Sequence, residues 1–328
     1  MIECTALFIG LGSIGCRHLR NLHDVAAHLG IKIKVDALRH SLSSLPEEIV
    51  SLLREQYHEM GELQYSYDMV FVCNPSQLHV DTLMKLKDIG KYFFVEKPIS
   101  VAPIPADVLS DLRPWHRFWV ACPLRHSAVY QAICRYVQNA KVYAVRAVCT
   151  SYLPDWRPGI DYKKLYSSRA DSGGVKIDLV HEFDYLFSLF GFPDSSCLLE
   201  QKVSSLDIRC PDVAIYVGMY SKMSMEVHLD YFGRYTERKL RLWTLEDVVE
   251  FDFISGVLTS FTKGDTIFVG DQDRNDIYKR ELESCLKFAV YGDGGNINDM
   301  QFANSVIKEV TRSYRCEASN HERMSAYD

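Results

Sequence analysis

A run of apolar residues, Ala6-Leu7-Phe8-Ile9, leads into Gly10-Leu11-Gly12-Ser13-Ile14-Gly15, and a helix-compatible stretch over 16–29 follows. Strand, glycine turn and helix in this order are what the pyrophosphate of a dinucleotide needs. Gly10 permits the tight turn, Gly12 lets the backbone approach the phosphates, and Gly15 allows close packing of helix on strand. The positive end of the helix then faces the phosphates. Gly10, Gly12, Ser13, Ile14 and Gly15 are therefore candidate cofactor contacts. A second group with chemistry to offer is Glu96-Lys97-Pro98, placed directly after the apolar run 92–95. Side chains at the carboxyl end of a parallel strand face the ligand crevice. An ammonium group there can hydrogen-bond a hydroxyl or polarise a carbonyl; out of that context, the same Lys-Pro pair is an ordinary surface lysine. The third group lies in 175–190. Leu179, Phe183, Leu186, Phe187 and Phe190 make an apolar helical stripe, and Asp178, His181, Glu182 and Tyr185 share the neighbouring face by i, i+3 and i+4 spacing. Histidine titrates near neutrality and can carry a hydroxyl proton as a hydride leaves. The plainer readings are helix capping for Asp178 and a structural imidazole for His181.

These groups need elements to hold them, and the chain supplies a regular alternation. Strand patterns at 31–38, 68–73, 92–95 and 118–121 are separated by helix patterns at 46–58 and 79–89, a β-α-β rhythm that predicts a parallel, doubly wound sheet with ligands at its carboxyl edge. From about residue 124 the rhythm changes. A helix at 128–139 precedes a long strand at 142–152, a loop rich in Pro, Gly and aromatics, and a helix over 175–190. Extended runs at 213–219, 224–231, 239–244, 248–253 and 257–262 predict one antiparallel sheet, and the alternation over 225–231 implies one covered and one polar face. Helices at 277–289 and 297–314 would close the structure, and the polar residues after Arg315 read as a mobile tail. The expected fold class is α/β: an N-terminal Rossmann doubly wound parallel sheet in 1–123, and a C-terminal α+β domain built on a large, mostly antiparallel sheet in 124–328. The length of 328 residues agrees with two cores.

Composition narrows the partners. A net charge of -6 and the absence of a long Lys/Arg block argue against nucleic acid. No run of about 18 apolar residues is present and the first strand starts at the N-terminus, so no membrane span or export signal is expected and the reading is cytoplasmic. The ten cysteines form no CxxC pair and read as reduced thiols; with no HxxxH or HExxH spacing, no metal is expected. The end of the second strand bears on the cofactor. An acidic tip would hold the 2′-hydroxyl of NAD and a basic tip the 2′-phosphate of NADP. Asp36 falls inside the strand and leaves Arg39, His40 and Ser41 at its tip, which favours NADP over NAD.

Three blocks, taken in order, resemble the family of glucose-fructose oxidoreductase, inositol dehydrogenase and MocA, known as Gfo/Idh/MocA. They are GLGSIGCRH from Gly10 to His18; the stretch from Cys73-Asn74-Pro75 through His79 and Gly90-Lys91 to Val95-Glu96-Lys97-Pro98; and Gly173-Gly174-Val175-Lys176-Ile177-Asp178-Leu179-Val180-His181-Glu182-Phe183-Asp184. The resemblance implies a dinucleotide-binding domain joined to a sheet-based second domain, and an NAD(P)-dependent oxidoreductase acting on a secondary alcohol or ketone of a sugar, sugar derivative or cyclitol. It implies catalysis by Lys97, with Pro98 shaping the turn and Glu96 positioning its surroundings, and cofactor contacts from Asn74, Pro75, His79 and Glu96. It also implies proton transfer by His181 with an acidic partner. The family places that aspartate four residues from the histidine, whereas Asp178 and His181 are three apart, so Asp178 and Glu182 both stay open; His181 keeps an HxxD link to Asp184. The loop carrying Trp156, Arg157, Tyr162 and Tyr166 resembles that of sugar-acting relatives, and makes Arg157, Tyr162 and Arg125 the substrate candidates. Two other activities fit the same residues, a non-catalytic dinucleotide-binding sensor and a redox-assisted elimination or hydrolysis of a glycoside. A homodimer or homotetramer through the C-terminal sheet is expected.

Overall fold

The structure, a computed structural model, describes residues 2–41, 44–63, 66–271 and 273–312. The first half of the chain runs β1 (Ile2–Ile9), α1 (Ser13–His28), β2 (Ile31–Leu38), α2 (Glu47–Val50), β3 (Glu55–Tyr57), β4 (Tyr67–Val72), α3 (His79–Leu86), β5 (Gly90–Val95), α4 (Ala106–Asp111) and β6 (Phe118–Val120). The six strands form one parallel sheet in the order β3-β2-β1-β4-β5-β6. Ala6, Leu7 and Phe8 are fully buried, as both faces of a parallel sheet must be when helices cover them. Strand order reverses between β1 and β4, and a ligand crevice opens there beyond the carboxyl ends.

One element departs from the pattern. The helix expected over 46–58 shrinks to the single turn of α2, and Glu55–Tyr57 becomes an edge strand. The cause is tertiary. Arg54 donates its backbone N–H to Val35 O at 2.6 Å, and its guanidinium grips the buried Asp36 carboxylate, with Nε to Oδ1 at 2.8 Å. That pairing draws the chain onto β2 and overrides local helix propensity.

The second half contains α5 (Ala128–Val137), β7 (Val142–Tyr152), α6 (Val175–Asp178), α7 (His181–Phe190), β8 (Ser195–Gln201), β9 (Val213–Met219), β10 (Ser224–Asp230), β11 (Phe232–Thr244), β12 (Val248–Asp252), β13 (Val257–Ser260), β14 (Thr266–Phe268), α8 (Asp276–Leu286) and α9 (Met300–Thr311). The eight strands are ordered β14-β13-β12-β11-β7-β10-β9-β8. The sheet is mixed and mostly antiparallel: β7 and β10, at its centre, pair in parallel. β8 and β14 escape the sequence pattern because their residues are half-buried or exposed without clear alternation. The expected helix over 175–190 is broken where Leu179 adopts φ -95°, ψ 28°, so Asp178 ends one helix and His181 begins the next. Asp299 caps α9 by accepting from Phe302 N at 2.8 Å, which moves the expected start from 297 to 300. The stretch after Arg315 lies outside the described residues. Among the described residues no helix is long and apolar enough to cross a membrane, and the nine described cysteines are free.

Late in the chain, α8 returns to the first sheet. Leu282, Cys285 and Leu286 pack into one apolar cluster with Leu19 and Leu22 of α1, and Asn21 and Asn275 exchange side-chain hydrogen bonds of 3.1 and 2.9 Å. Within α8, the fully buried Glu281 accepts the backbone N–H of Cys122 at 2.5 Å. Burial, reinforced by the charge of nearby Glu96, pushes its pKa up to about 8, against the Cys122 N–H, which lowers it. The folded state therefore holds a proton that the unfolded chain has released once pH exceeds the usual carboxylate range near 4.5. Stability is then highest below that range and falls as pH rises toward 8, by on the order of 1 kcal/mol per pH unit from this group. Glu281→Gln, which keeps the oxygen acceptor for Cys122, is expected to flatten the decline. Melting temperatures of both proteins from pH 5 to about 9 check it; parallel curves would remove Glu281 as the cause.

Candidate active site

A cleft of about 1230 Å³ runs along the carboxyl ends of β1, β2, β4 and β5, larger than the roughly 300–1,000 Å³ of ordinary small-molecule pockets. At one end the glycine turn forms a cradle. Gly10 has φ +89°, a conformation that side chains other than hydrogen rarely adopt. A Cβ on Gly15 would lie 2.4 Å from Gly10 O, so only glycine lets α1 sit this close. A Cβ on Gly12 would meet nothing within 4 Å, because the loop faces open space in the cleft. α1 starts at Gly12 without a side-chain cap, and its first backbone donors are satisfied neither by a cap nor by an earlier turn. Ser13 and Ile14 line the same wall, as do Asn74 and Pro75 after β4. The buried Asn74 Oδ1 has no partner among the described residues, while Asn74 Nδ2 donates to Thr82 at 2.8 Å. An uncapped helix end, open space over Gly12 and an orphaned amide oxygen fit a dinucleotide.

His79 corrects an expectation. It is fully buried beneath the cleft, with Nδ1 2.9 Å from Pro98 O and Nε2 2.9 Å from Asn74 O. Burial lowers its pKa. The imidazole ties together the two loops that carry Asn74 and Lys97, and it touches no space that a cofactor could fill. At the tip of β2, Arg39, His40 and Ser41 line the cleft, and Arg39 Nη1 donates to Gln56 at 3.0 Å. Asp36 is withdrawn into the core, held by Arg54 and by Tyr67 OH at 2.8 Å.

The other end of the cleft is built by the loop after β5 meeting the junction of α6 and α7. Lys97 Nζ donates to the backbone oxygen of Asp178 at 2.8 Å and lies 3.8 Å from its Oδ1. Asp178 Oδ2 accepts from Ser167 and, at 3.0 Å, from Tyr231 OH. His181 lines the same wall, and its imidazole has no hydrogen-bond partner among the described residues. Burial first, then the charges of Lys97, Arg238 and Arg274, drive its pKa well below the usual histidine value, so it is neutral. Glu96 reaches back to α1, where its Oε1 lies 2.5 Å from His18 Nε2. Burial would raise its pKa, but His18, helped by Lys97 and His79, holds it below the usual carboxylate value.

Geometry separates the two acidic alternatives. The Asp178 carboxylate stands beside Lys97, whereas Glu182 is fully buried away from the cleft in an ion pair with Arg238, Oε1 to Nε 3.0 Å, and burial raises its pKa. The helix break at Leu179 is the reason: two adjoining short helices aim Asp178 and His181 at the cleft and turn Glu182 inward. Of the substrate candidates, Arg157 lines the cleft. Arg125 and Tyr162 do not. Arg125 is 3% exposed and clamped to Asp184, Nε to Oδ2 and Nη2 to Oδ1 both at 2.8 Å. Tyr162 turns away, its hydroxyl accepting from Asp207 N at 3.1 Å. Sequence reasoning missed Ser167 and Tyr231, the two hydroxyls on Asp178; they come from a short 3₁₀ turn and from the residue after β10, and neither carries a local motif. Lys164 and Tyr278 also line the cleft without such a signal.

Residues 4–112 match the sequence model of the GFO_IDH_MocA group, described as an oxidoreductase family with an NAD-binding Rossmann fold. The match covers about a third of the chain, the part that forms most of the first sheet. Among curated relatives, the chain is 25% identical over 191 residues to an uncharacterized oxidoreductase, YrbE, of Bacillus subtilis, covering 56% of this chain and 52% of that one. It is 24% identical over 216 residues to the myo-inositol 2-dehydrogenase of Thermotoga maritima, covering 60% and 59%. The chain thus spans little more than half the length of the curated relatives it matches. Among solved structures, myo-inositol 2-dehydrogenase from Lactobacillus plantarum superposes with a TM-score of 0.73 at 17% identity, over 94% of this chain and 95% of that one. That likeness establishes a shared fold.

Proposed function

We propose that the protein is an NAD(P)-dependent dehydrogenase or reductase of CH–OH groups, with a sugar, sugar derivative or cyclitol as substrate. The observation that carries this reading is the meeting of Lys97, Asp178 and His181 on one wall of a cleft whose far end is the glycine cradle. A bound nicotinamide supplies the hydride acceptor. Lys97 Nζ hydrogen-bonds the substrate oxygen, and His181, neutral at the half-buried wall of the cleft, accepts the hydroxyl proton. Asp178 positions Lys97 through its backbone oxygen and is itself fixed by Ser167 and Tyr231. The walls of the cleft align the reacting C–H bond. The myo-inositol 2-dehydrogenases among the relatives support a polyhydroxylated substrate. The test is to incubate the protein with NADP⁺ or NAD⁺ and a panel of sugars and cyclitols while following reduced nicotinamide. Its net accumulation is the expected result; tight dinucleotide binding with no turnover on any compound would mark a sensor, and product without net reduction a redox-assisted elimination.

NADP is the preferred cofactor in this reading, because Arg39, His40 and Ser41 occupy the tip of β2 while Asp36 is consumed in the core. Arg39→Ala is expected to weaken NADPH binding by about 10- to 100-fold, the worth of a charged hydrogen bond, and to leave NADH binding unchanged. Fluorescence titration of both nucleotides checks it; tighter NADH binding in the parent protein would overturn the preference.

The division into a dinucleotide domain, 1–123, and a substrate domain, 124–328, belongs to the same proposal, with α8 bridging the two. A second copy of the chain is the proposed partner. On β9 the residues facing away from the helices are Ile215, Val217 and Met219, all exposed, beside exposed Leu199 of β8. An apolar sheet face of this kind suits a self-complementary dimer interface. The proposed setting is the cytoplasm.

A further inference from the structure

We infer that the substrate carries an anionic group, a carboxylate or a phosphate, and that Arg157 and Lys164 hold it. The inference rests on the dehydrogenase reading above and narrows it to one chemical class.

Both cations belong to the connection between β7 and α6, the segment that also delivers Ser167 to Asp178. The other charges of this connection are largely spent within the protein. Lys163 pairs with Asp207 at 2.8 Å, Arg169 with Asp171 at 2.7 Å, and Asp161 accepts the backbone N–H of Lys163 at 3.1 Å. Arg157 and Lys164 differ: among the described residues, neither side chain has an ion pair or a hydrogen bond, and both line the cleft together with Lys97. Near them Lys97 already faces Asp178 and Glu96, and Arg169 faces Asp171, so Arg157 and Lys164 are the cations of this wall with no carboxylate of their own among the described residues. A neutral polyol offers hydroxyls, which backbone groups and Tyr or Ser hydroxyls satisfy at no cost in charge. Two like charges left without partners at the mouth of a cleft repel each other and are stabilised by an incoming anion. A guanidinium fork and a flexible ammonium lining one cleft offer donors suited to a planar carboxylate or a tetrahedral phosphate. The pyrophosphate of the cofactor has its own seat at the uncapped start of α1, and the tip of β2 supplies Arg39. That leaves Arg157 and Lys164 for the substrate.

The experiment is calorimetric titration of the NADP⁺-loaded protein with D-glucuronate, D-glucose 6-phosphate and D-glucose, at low and high salt. One or both charged sugars are expected to bind at least about tenfold tighter than glucose, the worth of one charged hydrogen bond, and high salt should shrink that advantage. The sugar with the larger advantage identifies carboxylate or phosphate. In the Arg157→Gln/Lys164→Gln variant, whose changes are both on exposed side chains, the advantage should disappear while NADP⁺ affinity stays the same. No preference for either charged sugar overturns the inference, and so does loss of NADP⁺ affinity in the variant, which would assign these cations to the cofactor. Failure of the broader reading looks different. A charge preference without any reduction of NADP⁺ leaves the anion site standing and removes hydride transfer, whereas reduction driven equally by neutral polyols keeps hydride transfer and removes the anion site.

Discussion

Lys97→Ala is expected to lower kcat by about 10²- to 10⁴-fold, the range for removing a positioned proton-transfer or hydrogen-bonding group, with dinucleotide affinity unchanged. The separation follows from where the residue sits. Its side chain is three-quarters shielded, 24% exposed, and its ammonium group is fixed at 2.8 Å from Asp178 O, at the end of the cleft away from the glycine cradle. The variant keeps α1, Gly12 and the loop after β4 intact, so the nucleotide finds the same contacts. Lys97→Arg should rescue little, because a planar fork cannot place a single donor where the ammonium pointed. Steady-state rates and fluorescence titration of NADPH on the same preparations check both halves. Undiminished turnover in Lys97→Ala would remove the residue from the mechanism, and lost nucleotide affinity would recast it as a cofactor contact.

How much of this site could be read from the chain depends on how local each signal is. The glycine turn was legible because its roles are set within six residues: Gly10 needs its positive φ and Gly15 the close approach to Gly10 O. Lys97 was legible because the end of a parallel strand dictates where its side chain goes. The fold class followed from the change of periodicity near residue 124, and the mixed two-sheet architecture agrees with it. What the sequence hid depended on distant partners. Residues 46–58 carry a helical pattern, yet the Arg54–Asp36 pair, set across 18 positions, draws them onto the sheet edge. Helical spacing put Asp178, His181, Glu182 and Tyr185 on one face, and the break at Leu179 divided them. His79 and Arg125 were expected as ligand contacts on the family resemblance; both are buried struts whose partners, Pro98 O for one and Asp184 for the other, emerge only in the folded chain.

Arg125 and Asp184 yield the largest expected change in stability. Asp184→Ala strands a buried guanidinium, and breaking a buried pair from one side costs about 3–5 kcal/mol. Both 2.8 Å contacts of one bidentate pair are lost at once, and the remaining neutral acceptors, the backbone oxygens of Ile297 at 2.7 Å and Asp184 at 3.1 Å and Asn298 Oδ1 at 3.4 Å, cannot balance the charge. Removing both partners is a different experiment. Burial raises the Asp184 carboxyl in spite of Arg125 beside it, while the Asp184 charge raises the Arg125 guanidinium in spite of burial, so the attraction offsets desolvation for one partner and not for the other. Arg125→Met/Asp184→Leu is therefore expected to recover most of the loss, since apolar groups of similar volume fill the site without desolvating a charge. Thermal melts of the three proteins measure the effect, and assays at a temperature where all remain folded decide the role. A strut predicts that the double variant keeps both its KM and its turnover. If Arg125 contacted the substrate, the refilled core would be stable and the KM would still rise by about 10-fold or more, as expected for a lost charged hydrogen bond.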